Sequence, residues 1–241
     1  MSADLTLPDI PVISEPSTGP DTGAQFAALD VLGTLAVTAA APEAATAVPQ
    51  RGGRRTGLAR APWPLLAVLA VQAALSVRLV WSNTAFSDEA LYLWAGHLEW
   101  ANWIHGTPIP LFPAYFSGAA VVYPPLGALA DSIGGLAGAR VLSLIFMLAA
   151  TSLMWGTASR LHDRRAGFFA AGLFATLGPV VKLGAFATYD AMSLGLMALS
   201  AWCVVRAGAR RDATGWIAAA AAALALANAT AYSSAIFDPV V

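Results

Sequence analysis

The sequence predicts an all-α fold: a polytopic transmembrane helical bundle of about five spans, N-terminus inside, with interfacial helices in the first outer loop. Three observations predict it. Of the 241 residues, 58% are hydrophobic and 11% charged, and the mean hydropathy is +0.65, whereas soluble domains carry roughly 25% charged residues. Apolar runs recur along the chain from position 64 onward, as membrane helices require. Ten of the thirteen basic residues fall on one side of those runs when they are threaded back and forth, and the positive-inside rule makes that side cytoplasmic.

The chain opens on a tail, residues 1–62, that mixes Pro, Thr, Ala and scattered acids before turning basic at Arg51, Arg54, Arg55 and Arg60. Apart from a weakly apolar patch around 24–41 it lacks a core-forming period, so it reads as a disordered cytoplasmic tail. The first apolar run starts too far from Met1 for a secretory signal. The arginines ahead of Trp63 read as an anchor on the cytoplasmic side.

Residues 63–241 form the membrane domain. Span one covers about 64–81, span two 139–158, span three 166–181, span four 191–205 and span five 216–231. Several are short against the roughly 20 residues of a perpendicular helix, so their ends extend into the loops. Arg160, Arg164 and Arg165 separate spans two and three; Arg206, Arg210 and Arg211 separate four and five. The loop 82–138 has no Lys or Arg and belongs outside. Within it, 117–138 is apolar enough to suggest another span. A crossing there would place Arg160 to Arg165 outside, and Pro124, Pro125, Asp131 and three glycines suit a lipid-exposed helix poorly. The stretch reads as a helix along the interface, started by Pro124-Pro125.

Candidate chemistry collects on the outer side. Ser87 is a good N-cap, with Asp88 and Glu89 in the first turn, where carboxylates suit the helix dipole. Leu91, Trp94, Leu98 and Ala101 then form an apolar stripe, and Tyr92, Trp94, Trp100 and Trp103 an interfacial aromatic belt. Such a helix holds both acids at headgroup depth. Asp190, in the outer loop between spans three and four, can face Asp88, or it and Thr188 simply cap the fourth helix. Lys182 breaks the charge bias; it either snorkels to outer headgroups or neutralises a phosphate. Arg78 and Arg140, near outer span ends, can pair with Asp88 or Asp131. Asp88, His97 and Asp190 have the ligand types of a divalent-metal site, but no HxxE or HExxH spacing supports one. No glycine-rich phosphate loop, GxSxG or dinucleotide fingerprint occurs, and no basic aromatic stripe indicates nucleic acid. Cys203 lies alone in an apolar run, so no internal disulfide framework or thiolate metal site exists.

Phe86-Ser87-Asp88-Glu89-Ala90-Leu91-Tyr92 after Arg78-Leu79 resembles the first outer loop of GT-C glycosyltransferases. The nearest branch is the protein O-mannosyltransferase and lipid A aminoarabinose transferase-like enzymes. Tyr123-Pro124-Pro125-Leu126, Gly138-Ala139-Arg140-Val141 and Tyr189-Asp190 resemble that branch too. The resemblance covers about 65–241. It implies a plasma-membrane enzyme that moves a hexosyl or pentosyl group from a polyprenyl-phosphate carrier to a protein, glycan or lipid acceptor, by inverting displacement at the outer face. Asp88 is then the catalytic base in the outer catalytic loop 82–138, with Glu89 beside it and Asp190 as a second acid. Lys182, with Arg78 or His97, becomes the lipid-phosphate contact. Members of the family are longer, so the resemblance also implies a truncated or split product. The alternative is a non-catalytic polytopic protein, or half of an enzyme that acts with a separate C-terminal chain.

Overall fold

Long apolar runs in lipid have to satisfy their backbone groups internally, and the helix does so within one segment. The computed structural model describes residues 63–81, 84–110, 112 and 122–240, the side chains as far as 236. The expected disordered tail lies outside the described residues. Among these residues there are seven helices and no strand. They run α1 (Trp63–Val80), α2 (Ser87–His105), α3 (Tyr123–Leu161), α4 (Arg164–Thr176), α5 (Gly178–Leu183), α6 (Tyr189–Ala207) and α7 (Thr214–Thr230), with a closing 3-10 segment Tyr232–Val240.

Three of these, α1, α3 and α6, are long and apolar enough to cross a membrane, and α7 is an apolar helix of 17 residues. The expected span three is not one rod. Leu177 is extended (φ −63°, ψ 130°) and Pro179 opens α5, so the run divides into α4 and α5. A proline has no N–H to give and biases the residue before it away from the helix, so Gly178-Pro179 ends one helix and starts another.

Helix α3 carries both the expected interfacial helix and span two. Pro124 and Pro125 sit in its first turn, where a missing N–H costs nothing. Gly134 and Gly135 then leave helical geometry, Gly135 at φ +61°, a left-handed conformation that side chains resist. The bend folds the front half, 123–133, back beside the span that follows: Tyr123 Oη and Ser143 Oγ lie 3.3 Å apart, and Gly138 sits close against the Ala130 carbonyl.

The front half packs against α2 through the face bearing Leu93, Gly96 and Trp100. A Cβ on Gly96 would overlap the Pro124 carbonyl, so glycine permits the approach. Trp100 Nε1 donates to the Pro125 carbonyl at 2.8 Å, and His97 Nε2 meets Asp131 Oδ2 at 2.8 Å. The protein-facing side of the helix is made by Leu93, Ala95 and Gly96, which are buried, while Leu91 and Trp94 of the predicted membrane-facing stripe are exposed. Exposed apolar side chains on that face suit lipid contact.

Between the spans, small side chains and hydroxyls make the contacts, the pattern expected where lipid removes the hydrophobic drive for helix association. Thr151 Oγ1 donates to Gln72 Oε1 at 2.7 Å, joining α3 to α1. Ser200 Oγ donates to the Ala220 carbonyl at 2.9 Å, joining α6 to α7, where Ala220, Ala223 and Ala227 form the buried stripe. Ser76 Oγ reaches the Val181 carbonyl at 3.1 Å and ties α5 to α1.

Candidate functional site

At the start of α2 the chain leaves α1 and turns into Phe86-Ser87-Asp88-Glu89. The N-cap is Phe86, one residue before the predicted Ser87, because Glu89 at the third helical position accepts from the Phe86 N–H at 3.0 Å. That back-bond is half of a capping box. Ser87 Oγ instead donates to Asp88 Oδ1 at 3.3 Å. The two neighbouring acids therefore point to different surroundings: Asp88 is exposed, and Glu89 is fully buried.

Glu89 is gripped on every side. Its Oε1 accepts from Arg140 Nε at 2.9 Å and from the Ala187 N–H at 2.7 Å; its Oε2 accepts from Arg140 Nη2 at 2.8 Å as well as from Phe86. Arg140, 1% exposed, also donates to the Val80 carbonyl through Nη1 and to the Thr84 carbonyl through Nη2. Burial opposes the charge on Glu89. The Arg140 guanidinium and the two backbone donors outweigh it and hold the carboxyl below its ordinary value of 4.5. The pairing corrects the expectation that Arg140 meets Asp88 or Asp131. The forked pair joins the end of α1, the start of α2, the span half of α3 and the segment before α6.

Ala187 is three residues before Asp190, so the same grip sets the height of that acid. Asp88 and Asp190 line one pocket of about 350 Å³, together with Phe86, Lys182, Phe186 and Thr188. The two carboxylates are within electrostatic range of each other. Tyr92 of α2 and Tyr189 of α6 meet edge to face, centroids 5.0 Å apart. Burial pushes the Tyr92 hydroxyl well above the usual tyrosine range, and Tyr189, Asp88 and Asp190 add to it. Lys182 Nζ stands 5.7 Å from the Phe186 ring centre and Arg140 5.5 Å from the same ring, distances at which a cation is drawn to an aromatic face. The pocket thus offers two carboxylates, one exposed ammonium and apolar walls from Phe86, Pro179, Leu183 and Phe186.

The other expected residues lie elsewhere. His97 is engaged by Asp131, and Arg78 is exposed in the last turn of α1; neither lines the pocket. Among the described residues no three His, Cys, Asp or Glu side chains converge on a metal position. Thr188 is the backbone N-cap of α6 without a side-chain cap bond, and Asp190 stands in the first turn. Phe186 contributes to the site with no signal in the sequence, whereas Arg140 and Tyr189 enter it in roles other than those expected. The Tyr-Asp dipeptide and the lone arginine after Gly138 were the signals available for two of them.

Against this geometry stand the comparisons with known proteins. The family model for dolichyl-phosphate-mannose-protein mannosyltransferases matches residues 128–240. The matched stretch contains Arg140, Lys182, Phe186 and Asp190 and starts after Asp88 and Glu89. It supports a membrane glycosyltransferase of the GT-C type. No curated protein and no solved structure matches the chain significantly.

Proposed function

We propose that the pocket is the reaction centre of a GT-C-type transferase that takes a sugar from a polyprenyl-phosphate carrier at the outer face of the membrane. The observation that carries the reading is the meeting of Asp88, Asp190 and Lys182 in one apolar-walled pocket, although Asp88 precedes the other two by more than ninety positions in the chain. Asp88, exposed and unencumbered by the Arg140 pair, accepts the proton of an acceptor hydroxyl. The hydroxyl oxygen attacks the anomeric carbon as the bond from that carbon to the phosphate oxygen breaks, with inversion. The electron pair leaves on the lipid phosphate, where the Lys182 ammonium stabilises the gathering charge. Asp190 faces the same space and accepts a hydrogen bond from a hydroxyl of the sugar. Glu89 acts as a positioning residue through Arg140 and Ala187. Arg78 and His97, which line no part of the pocket, take no part in this reading.

The test is Asp88→Asn in the intact protein in native membranes, with release of polyprenyl phosphate from hexosyl and pentosyl donors as the readout. The expected loss is about 10²-fold or more, the usual weight of a general base, at unchanged insertion and abundance. Full turnover by the variant would remove Asp88 from the mechanism. Failure of the wild-type protein to turn over any such donor would remove the transferase reading.

A further inference from the structure

At the opposite end of α6 from Asp190 stands a second constellation that the pocket does not use. Arg206, in the last turn of α6, lies over Trp202 at 4.9 Å and over Trp216 of α7 at 4.8 Å, and Arg210 stands 5.9 Å from the Trp216 ring centre. The two indoles meet edge to face at 5.4 Å. Gly156 of α3 makes room for Trp202, since a Cβ there would press on its ring nitrogen. One turn further on, Arg160 lies within electrostatic range of Arg206.

Two guanidinium groups are thus held on aromatic faces rather than by acids, with the third, Arg160, within electrostatic range. Among the described residues the ion pairs are His97–Asp131 and Arg140–Glu89, both remote from this end. The local acids are occupied otherwise: Asp163 caps α4 through the Ala166 N–H at 2.8 Å, and Asp212 accepts from the Thr214 N–H at 3.3 Å. The Nε of Arg206 is buried without an acceptor. Like charges held together without a counter-charge cost free energy, so the arrangement asks for an anion. Val204 and Ile217, both exposed, flank the cluster on the same two helix ends. An anion that also carries acyl chains satisfies the guanidinium groups and covers those side chains at once.

We propose that Arg160, Arg206 and Arg210, with Trp202 and Trp216, form a binding site for the phosphate of an anionic membrane phospholipid on the leaflet opposite the pocket. The positive-inside rule places that leaflet at the cytoplasm, where anionic lipids and basic clusters attract each other. Arginine suits the task because its planar fork grips phosphate while its face rests on an indole. The chemistry shared with a soluble anion is phosphate recognition; the exposed apolar flank favours the lipid.

The full chain, purified in a zwitterionic detergent, is titrated with phosphatidylglycerol or phosphatidylcholine and bound lipid is counted by native mass spectrometry. The wild type retains phosphatidylglycerol preferentially. Arg206→Gln with Arg210→Gln lowers that retention about tenfold, while Arg165→Gln, a charge at the same end outside the cluster, leaves it unchanged. Arg210→Gln alone, at an exposed position, carries the test should the double variant unfold, and is expected to lower retention about threefold. Equal retention of the two lipids, or equal loss from Arg165→Gln, would overturn the site in favour of a diffuse field. Displacement of the lipid by millimolar inorganic phosphate would overturn the lipid in favour of a soluble anion.

Discussion

A carboxylate taken out of water needs its oxygens filled, and Glu89 has four donors on its two. Removing one partner of such a pair leaves a buried charge uncompensated. Arg140→Leu is therefore expected to destabilise the protein by about 3–5 kcal/mol, measured as thermal unfolding in detergent. Glu89→Leu combined with Arg140→Met is expected to cost less than the sum of the single changes, because no charge is then stranded. The pH dependence has a definite sign. Glu89 titrates in the folded protein below its ordinary 4.5, so it contributes stability above about pH 4.5 that is lost as pH falls through the lower folded value. Acid unfolding curves of the wild type and Glu89→Gln should converge below that range and separate above it. The carboxylates of the pocket were legible because chain order and the arginine count put Asp88 and Asp190 on one side, and Lys182 is one of three basic residues, with Arg78 and Arg140, that break the charge bias. The role of Glu89 was not: its partner lies 51 positions away, and adjacency to Asp88 says nothing of which acid is buried.

Among the elements, α2 and the front half of α3 depend on two glycines for different reasons. Gly96 gives way to the Pro124 carbonyl, and even a methyl group there would force the helices apart. Gly96→Ala is expected to cost about 1–3 kcal/mol, the range for overpacking a tight contact, visible as a lower unfolding temperature. Gly135 has open space around it and a positive φ, so Gly135→Ala carries the backbone penalty alone, roughly 1–2 kcal/mol. Helix positions were legible wherever apolar length and arginines agreed, and the Pro124-Pro125 start was legible from proline's missing N–H. The division of span three is signalled by Gly178-Pro179, although the apolar content on both sides of it is that of one continuous span. The contact at Gly96 had no signal in spacing, since it answers to a carbonyl on another helix.

Over the whole molecule the charge is polarised. Arg160, Arg164, Arg165, Arg206, Arg210 and Arg211 lie at the helix ends away from the pocket, and Asp88 and Asp190 at the pocket. The expected orientation places those two ends in different compartments. Ser87→Cys should be labelled by a membrane-impermeant maleimide added outside, and Gly208→Cys only after permeabilisation; both are exposed, and native Cys203 is buried. Reversed labelling would invert the topology, and with it the leaflet assigned to each site. The bundle as a class was legible from composition alone. The brokenness of its shorter helices was not, because hydropathy measures solvent preference and is blind to backbone geometry.

The forked bond between Glu89 and Arg140 has one more effect, on timing. Asp88 follows the backbone of its neighbour, and Asp190 follows the strand of chain that Ala187 pins to that same carboxylate, so the spacing of the two acids exists before any substrate arrives. Under the proposed function, a donor entering from the bilayer would meet a preorganised frame, and its binding energy would not be drawn off into assembling one.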